Sequence, residues 1–223
     1  DDNDVIRVES DRALRKEEGI YYTPSYIVRY IVDHTLGRWL YGTANGQPDG
    51  DPLPDVPPKS LDDLEGLRLV DPAMGSGSFL IYAFEVLADF YERENARIQE
   101  QNAAQWDAWG KKAMKEGMFG EDNDMPELAQ PALDYVSRIL QQHLYGVDLD
   151  PEAAEIAGVN LILRAFDRLR GDRERQKLPL ILGQTLKVGN ALVSGVTKLD
   201  DLKPFVEERR RLIALREELS TLT

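Results

Sequence analysis

The 223 residues hold 42% hydrophobic and 30% charged side chains, with 17 Gly and 12 Pro; this balance excludes collagen-like and low-complexity chains and predicts a globular protein with a sizeable core. No Cys and only two His exclude a disulfide framework, a cysteine zinc cluster and a Cys nucleophile, and disfavour His-based catalysis or metal binding. A net charge of −13 argues against a broad DNA-gripping surface, but residues 164–223 carry 13 basic and 9 acidic side chains, hence +4 against −17 on residues 1–163, so any nucleic-acid contact is expected on the C-terminal side.

The chain opens Asp1-Asp2-Asn3-Asp4 without Met, the opposite charge to a signal peptide, and no apolar run approaches the roughly 18 residues of a membrane span. A cytoplasmic piece of a longer protein, with no membrane partner, is expected. Thr23-Pro24 predicts a helix over about 24–40, with the Thr23 hydroxyl as cap, Pro24 at the first helical position, and Ile27, Tyr30, Ile31 and Leu36 at helical spacing. Gly42 to Pro58 is rich in turn formers and reads as a surface loop. Leu67-Arg68-Leu69-Val70 predicts a short strand ending at Asp71-Pro72, followed by a Gly-Ser-Gly turn and a helix from Phe79 to about Tyr91. Residues 96–135 read as an insert, helical in pieces, to which no function is assigned.

A second unit follows the same logic. Leu144 to Asp148 is strand-like, Asp150-Pro151 caps a helix, and Ile156, Val159, Leu163 and Phe166 share one face of that helix up to Gly171. Leu178 to Leu182 predicts a third strand. Strands alternating with helices imply parallel pairing and an open α/β sheet, whose ligands bind beyond the carboxyl ends of the strands. The expected organisation is a helical N-terminal segment over 1–63, an α/β core over 64–195, and an amphipathic helical tail over 196–223.

The chemistry concentrates in Asp71-Pro72-Ala73-Met74-Gly75-Ser76-Gly77-Ser78-Phe79-Leu80. A glycine-rich turn between strand and helix lets backbone N–H groups approach a ligand, and the helix start favours an anionic group. Gly75 and Gly77 match the first two glycines of a dinucleotide fingerprint, but Leu80 stands at the third and no Walker lysine follows, which weakens NAD and ATP readings. A tight turn that needs positive φ remains the plainer alternative. Asp148 ends a strand while Asp150 serves as cap, which leaves the Asp148 carboxylate free for a ligand; the alternative is that both are caps.

Taken together, Gly19-Ile20-Tyr21-Tyr22-Thr23-Pro24, Asp71 to Leu80, Tyr145-Gly146-Val147-Asp148-Leu149-Asp150-Pro151 and Gly189-Asn190-Ala191-Leu192 resemble four ordered motifs of the γ-type adenine-N6 DNA methyltransferases of restriction-modification and phage-defence systems, type I and type IIG among them. The resemblance implies an open, doubly wound Rossmann-like sheet of the S-adenosylmethionine-dependent methyltransferase type, of which this chain holds the first strands. It implies S-adenosylmethionine as cofactor. Asp71 then faces the methionine ammonium, with Ala73, Gly75, Ser76 and Gly77 lining the methionine end. Asp148 takes the ribose hydroxyls, with Leu149 beside the adenine. Thr23 closes the methionine side, unless it is only a helix cap. Asn190 stands where relatives often have Asp and reaches the adenine amino group, with Ala191 packing nearby.

The same family carries a catalytic [Asn/Asp/Ser]-Pro-Pro-[Tyr/Phe/Trp] string that holds the flipped adenine. No such string occurs here; the only double proline, Pro57-Pro58, is followed by Lys59 and precedes the glycine turn. The expectation is the donor half of a site-specific DNA adenine methyltransferase, truncated before its acceptor half and inactive alone. DNA would be met through other parts of the parent protein, with specificity or restriction components as further partners. In the tail, Phe205, Leu212 and Leu219 share one heptad position and Leu215 and Leu222 another, while Glu207-Glu208 beside Arg209-Arg210-Arg211 reads as a solvated mixed-charge face. A non-catalytic interaction module, and a small-molecule or protein methyltransferase on the same fold, are the competing readings.

Overall fold

The computed structural model describes residues 23–116, 125–169 and 178–191. The Gly19–Tyr22 part of the first motif and the whole of the predicted tail lie outside them. The chain divides into two units, Asp1–Gly189 and Asn190–Thr223, and the architecture below belongs to the first.

The N-terminal helix forms as predicted, with a correction at its start. α1 (Ser25–Val32) takes Pro24, not Thr23, as its N-cap, and no side chain caps it. Pro24 has an extended ψ of 141°, so the helix begins one residue later than the Thr-Pro pattern suggests. The helical path widens into a π turn at Asp33–Gly37 and resumes as α2 (Arg38–Tyr41), which ends at Gly42 with φ 65°. Val28, Val32, Leu36 and Leu40 are its buried stripe. A 3-10 turn (Asp62–Leu64) leads to β1 (Leu69–Asp71).

The largest departure is α3 (Ser78–Glu116), a single helix of 39 residues and so about 58 Å long. The insert predicted over 96–135 is therefore, in its first half, a continuation of the helix that starts at the glycine turn. Its first four turns are core: Leu80, Phe84, Leu87 and Tyr91 are almost wholly buried. The α1 helix is pinned there by the Tyr82 hydroxyl, which donates to Asp33 Oδ1 at 2.9 Å, and by the Arg29 guanidinium over the Tyr82 ring.

α4 (Tyr135–Arg138) and a π turn (Ile139–His143) deliver the chain into β2 (Leu144–Asp148), the predicted strand. The Asp150 cap is also as predicted, its side chain accepting from the Glu152 N–H at 2.9 Å ahead of α5 (Pro151–Arg168). The third strand is not. Leu178–Ile181 is irregular, Leu182 makes an isolated bridge, and β3 is Leu186–Val188. Ahead of a turn through Gly183, φ 74°, the run packs only in part: Ile181 is buried and Leu178 half-buried, whereas Leu180 and Leu182 are exposed.

The packed face of α5 is not the one that Ile156, Val159, Leu163 and Phe166 share. Ala154, Ala157, Gly158, Leu161 and Ala165 are buried, whereas Ile156, Val159, Leu163 and Phe166 are between 47% and 57% exposed. Small side chains allow α5 to approach the sheet and the glycine turn closely, and the large ones are left outside. Arg168, at the end of α5, meets Glu85, Asp89 (2.7 Å) and Glu92 (3.3 Å) of α3. Burial opposes its charge, but the hydrogen bonds and charges of Glu85 and Asp89 outweigh this and raise its pKa.

The sheet is parallel in the order β1-β2-β3, with Asp71 opposite Gly146 and Asp148 opposite Val188. Leu144, Gly146 and Leu186 form its buried face. On the other face Val70 is 63% exposed. Among the described residues no helix is long and apolar enough to cross a membrane.

Candidate cofactor site

Two parallel strands end side by side at Asp71 and Asp148, and the turn after β1 folds over the end of β2. Three hydrogen bonds set that turn. The Met74 N–H donates to the Val147 carbonyl at 3.0 Å, the Gly77 N–H to the Met74 carbonyl at 2.8 Å, and the Gly75 N–H to Asp148 Oδ2 at 2.7 Å. Gly75 and Gly77 both have positive φ, 53° and 83°, so the plainer reading of the turn, that it needs glycine conformations, is also true. The two glycines nevertheless differ. A Cβ on Gly77 would stand 2.9 Å from the Ala157 Cβ, whereas one on Gly75 would meet nothing within 4 Å. Gly77 is required by packing against α5; Gly75 faces open space.

Asp71 supplies the electrostatic feature. Oδ1 accepts the Ala73 N–H at 3.2 Å, while Oδ2 is buried and has no hydrogen-bond partner. Burial pushes the carboxyl pKa up, the Ala73 N–H partly offsets this, and the charge of Asp148 adds to the rise. An acceptor left dry in this way is costly unless a donor reaches it.

Asp148 is not free, contrary to the sequence expectation. Besides the Gly75 N–H on Oδ2, its Oδ1 accepts the Asp150 N–H at 3.0 Å. Leu149 is exposed, as is Ala73, and Ser76 is half-buried. The structure therefore brings Asp71, Ala73, Gly75, Ser76, Gly77, Asp148 and Leu149 to one edge of the sheet. Thr23 is half-buried ahead of α1, and Asn190 and Ala191 open the second unit, both exposed.

Sequence reasoning missed Gly189, whose N–H donates to the Asp148 carbonyl at 2.7 Å and whose own Cβ position is open. It also missed the partnership of Met74 and Gly146: a Cβ on Gly146 would lie 2.2 Å from the Met74 sulfur. A glycine inside a strand signals such a close approach. Among the described residues no three metal-ligating side chains gather into a site.

Residues 58–202 match the family described as MmeI, DNA-methyltransferase domain. The chain is 28% identical over 168 residues to the adenine-specific methyltransferase PglX of Lacticaseibacillus casei (strain Zhang), covering 65% of this chain and 13% of that protein. It is 26% identical over 161 residues to the adenine-specific methyltransferase BrxX of Escherichia coli O9:H4 (strain HS), covering 65% and 10%. It is 24% identical over 205 residues to the putative type II restriction enzyme and methyltransferase RM.MjaORFECS2P of Methanocaldococcus jannaschii, covering 82% and 15%. The chain thus spans between 10% and 15% of the length of these relatives.

Proposed function

Because the chain belongs to the family of MmeI DNA-methyltransferase domains, we propose that its β1–α3 turn binds S-adenosylmethionine and forms the donor half of a DNA adenine-N6 methyltransferase on a Rossmann-like sheet. The observation that carries the reading is Asp71 Oδ2, a buried acceptor without a partner at the mouth of a turn whose Gly75 faces open space. An ammonium group fits it: it brings donors and the opposite charge to an oxygen that lacks both.

In this reading Asp71 orients the amino-acid end of the cofactor, and Gly75 leaves room for close backbone approach. Ala73, Ser76 and Gly77 complete that wall. Asp148 receives the ribose hydroxyls beside the donors it already holds, with Leu149 at the adenine. Thr23 is proposed to close the methionine side. The cofactor supplies an electrophilic methyl on sulfonium; the protein's part is to hold that methyl in line and to exclude water from it.

The acceptor chemistry is proposed to lie on other parts of a longer protein, since these 223 residues hold no Asn-Pro-Pro-Tyr-type string. DNA, and the restriction or specificity components of a defence system, would be partners of that protein, whose setting is cytoplasmic. Calorimetric titration with S-adenosylmethionine should give saturable heat, and Asp71→Ala should weaken binding by about 1.5 to 3 kcal/mol, the range for losing a hydrogen bond to a charged group. A folded chain that gives no heat and no melting shift would replace this proposal with the non-catalytic module.

A further inference from the structure

We infer that Asp148 is a positioning residue, whose carboxylate shapes the glycine turn before any ligand arrives, using two acceptors that an amide cannot supply. The inference rests on the reading of the turn as a cofactor loop and gives that site its means of preorganisation.

Gly75 is a residue that packing does not hold. Nothing lies within 4 Å of its Cβ position, and a glycine left to itself populates several backbone conformations. Of the three hydrogen bonds that set the turn, two run between backbone atoms, and one ends on a side chain 73 positions later in sequence, Asp148 Oδ2. The acceptor is a carboxylate, so this bond, like that of the Ala73 N–H to Asp71 Oδ1, is charge-assisted. The second oxygen is committed to a different segment, the Asp150 N–H at the start of α5. One carboxylate therefore joins the turn after β1, the end of β2 and the first residues before α5.

Asparagine is nearly isosteric here but chemically unequal. Its side chain has one acceptor and one NH2 donor, so it can serve either the Gly75 N–H or the Asp150 N–H and must point N–H at N–H on the other. Charge and acceptor count, rather than shape, make the position an aspartate. Each carboxylate oxygen accepts more than one donor; a ligand hydroxyl can therefore be taken up without releasing the turn.

The test is backbone amide exchange by NMR on the ligand-free chain, comparing Gly75 and Asp150 with Leu87, which sits in the buried first turns of α3 and reports on the fold. Asp148→Ala should speed exchange at Gly75 and at Asp150 by at least about tenfold, the lower end expected for a hydrogen bond to a charged group, with Leu87 unchanged. Asp148→Asn should lose protection at one of the two and keep it at the other. In both variants the affinity for S-adenosylmethionine should fall at least about tenfold. Unchanged protection at Gly75 in Asp148→Ala, full protection at both amides in Asp148→Asn, or faster exchange with undiminished affinity overturns the inference. If Asp148→Ala also exposes Leu87, the volume-conserving Asp148→Asn decides. A Gly75 amide protected by Asp148 in a chain that takes up no S-adenosylmethionine removes the proposed function and leaves the inference standing. A chain that binds the cofactor while Gly75 exchanges freely removes only the inference.

Discussion

At Asp71 the fold weighs against the charged form of the side chain. Its carboxyl pKa is raised, chiefly by burial and further by Asp148, so the folded state holds the proton more tightly than the unfolded chain and stability is lost as pH rises through that range. Asp71→Asn has no carboxyl proton to lose, so it should remove this loss from urea unfolding followed against pH, while losing affinity for S-adenosylmethionine. A variant whose stability falls over that pH range as the parent's does would mean that Asp71 is not the group responsible. The two glycines of the turn separate along the same line. Gly77→Ala meets Ala157 at 2.9 Å and should cost about 2 to 3 kcal/mol of stability. Gly75→Ala carries only the cost of positive φ, about 1 to 2 kcal/mol, but places a methyl where the ligand is proposed to lie. Its larger effect should therefore appear in the titration, not the melt.

Elements are joined by His143, which is fully buried between α3, β2 and the residues ahead of β1. Leu67 offers a carbonyl, so Nδ1 carries the proton and donates to it at 3.0 Å, and Nε2 accepts from the Tyr91 hydroxyl at 2.8 Å. Burial lowers the histidine pKa against the opposing hydrogen bond to the Leu67 carbonyl, and the charges of Arg68 and Arg138 add smaller decreases; burial pushes the Tyr91 pKa up to about 12. The unfolded chain then binds the proton first. The contribution to stability is complete above the ordinary value of 6.5 and declines as pH falls below it, by no more than about 1.4 kcal/mol per pH unit for one proton. Denaturation midpoints from pH 8 to 5 should show this decline, and His143→Gln should flatten it. Much at this scale was legible in the sequence: β2, the Asp150 cap and the strand-turn-helix around Asp71 follow from local signals that tertiary packing does not contradict. The misses have physical causes. An apolar run, Leu178 to Leu182, reads alike whether it pairs or packs. On α5 the larger side chains suggested the core face, but closeness of approach selected the smaller ones. Half of the Asp148 correction was within reach of sequence, since the Asp150 N–H lies two residues on and fits the reading of both aspartates as caps; the other half was not, because Gly75 is brought to Asp148 by the parallel pairing of β1 with β2.

At the scale of the molecule, charge and sheet geometry set what the chain can do by itself. With −13 overall and −17 on residues 1–163, electrostatic attraction to phosphate is weak. A gel-shift at about 150 mM salt should therefore show no submicromolar complex with duplex DNA; such a complex would mean that residues 164–223, which carry +4, suffice for binding. The sheet has a buried face and another on which Val70 is exposed, while parallel sheets are ordinarily covered on both faces. An exposed apolar side chain on a sheet face invites contact with other molecules, and like charge opposes that at long range. The acidic surface thus acts as a colloidal stabiliser: its repulsion reaches about 30 Å at 0.01 M salt and only about 8 Å at 0.15 M. Concentrated samples will stay dispersed in dilute buffer and grow sticky as salt is added, which is the reverse of how a basic nucleic-acid-binding domain behaves on the bench.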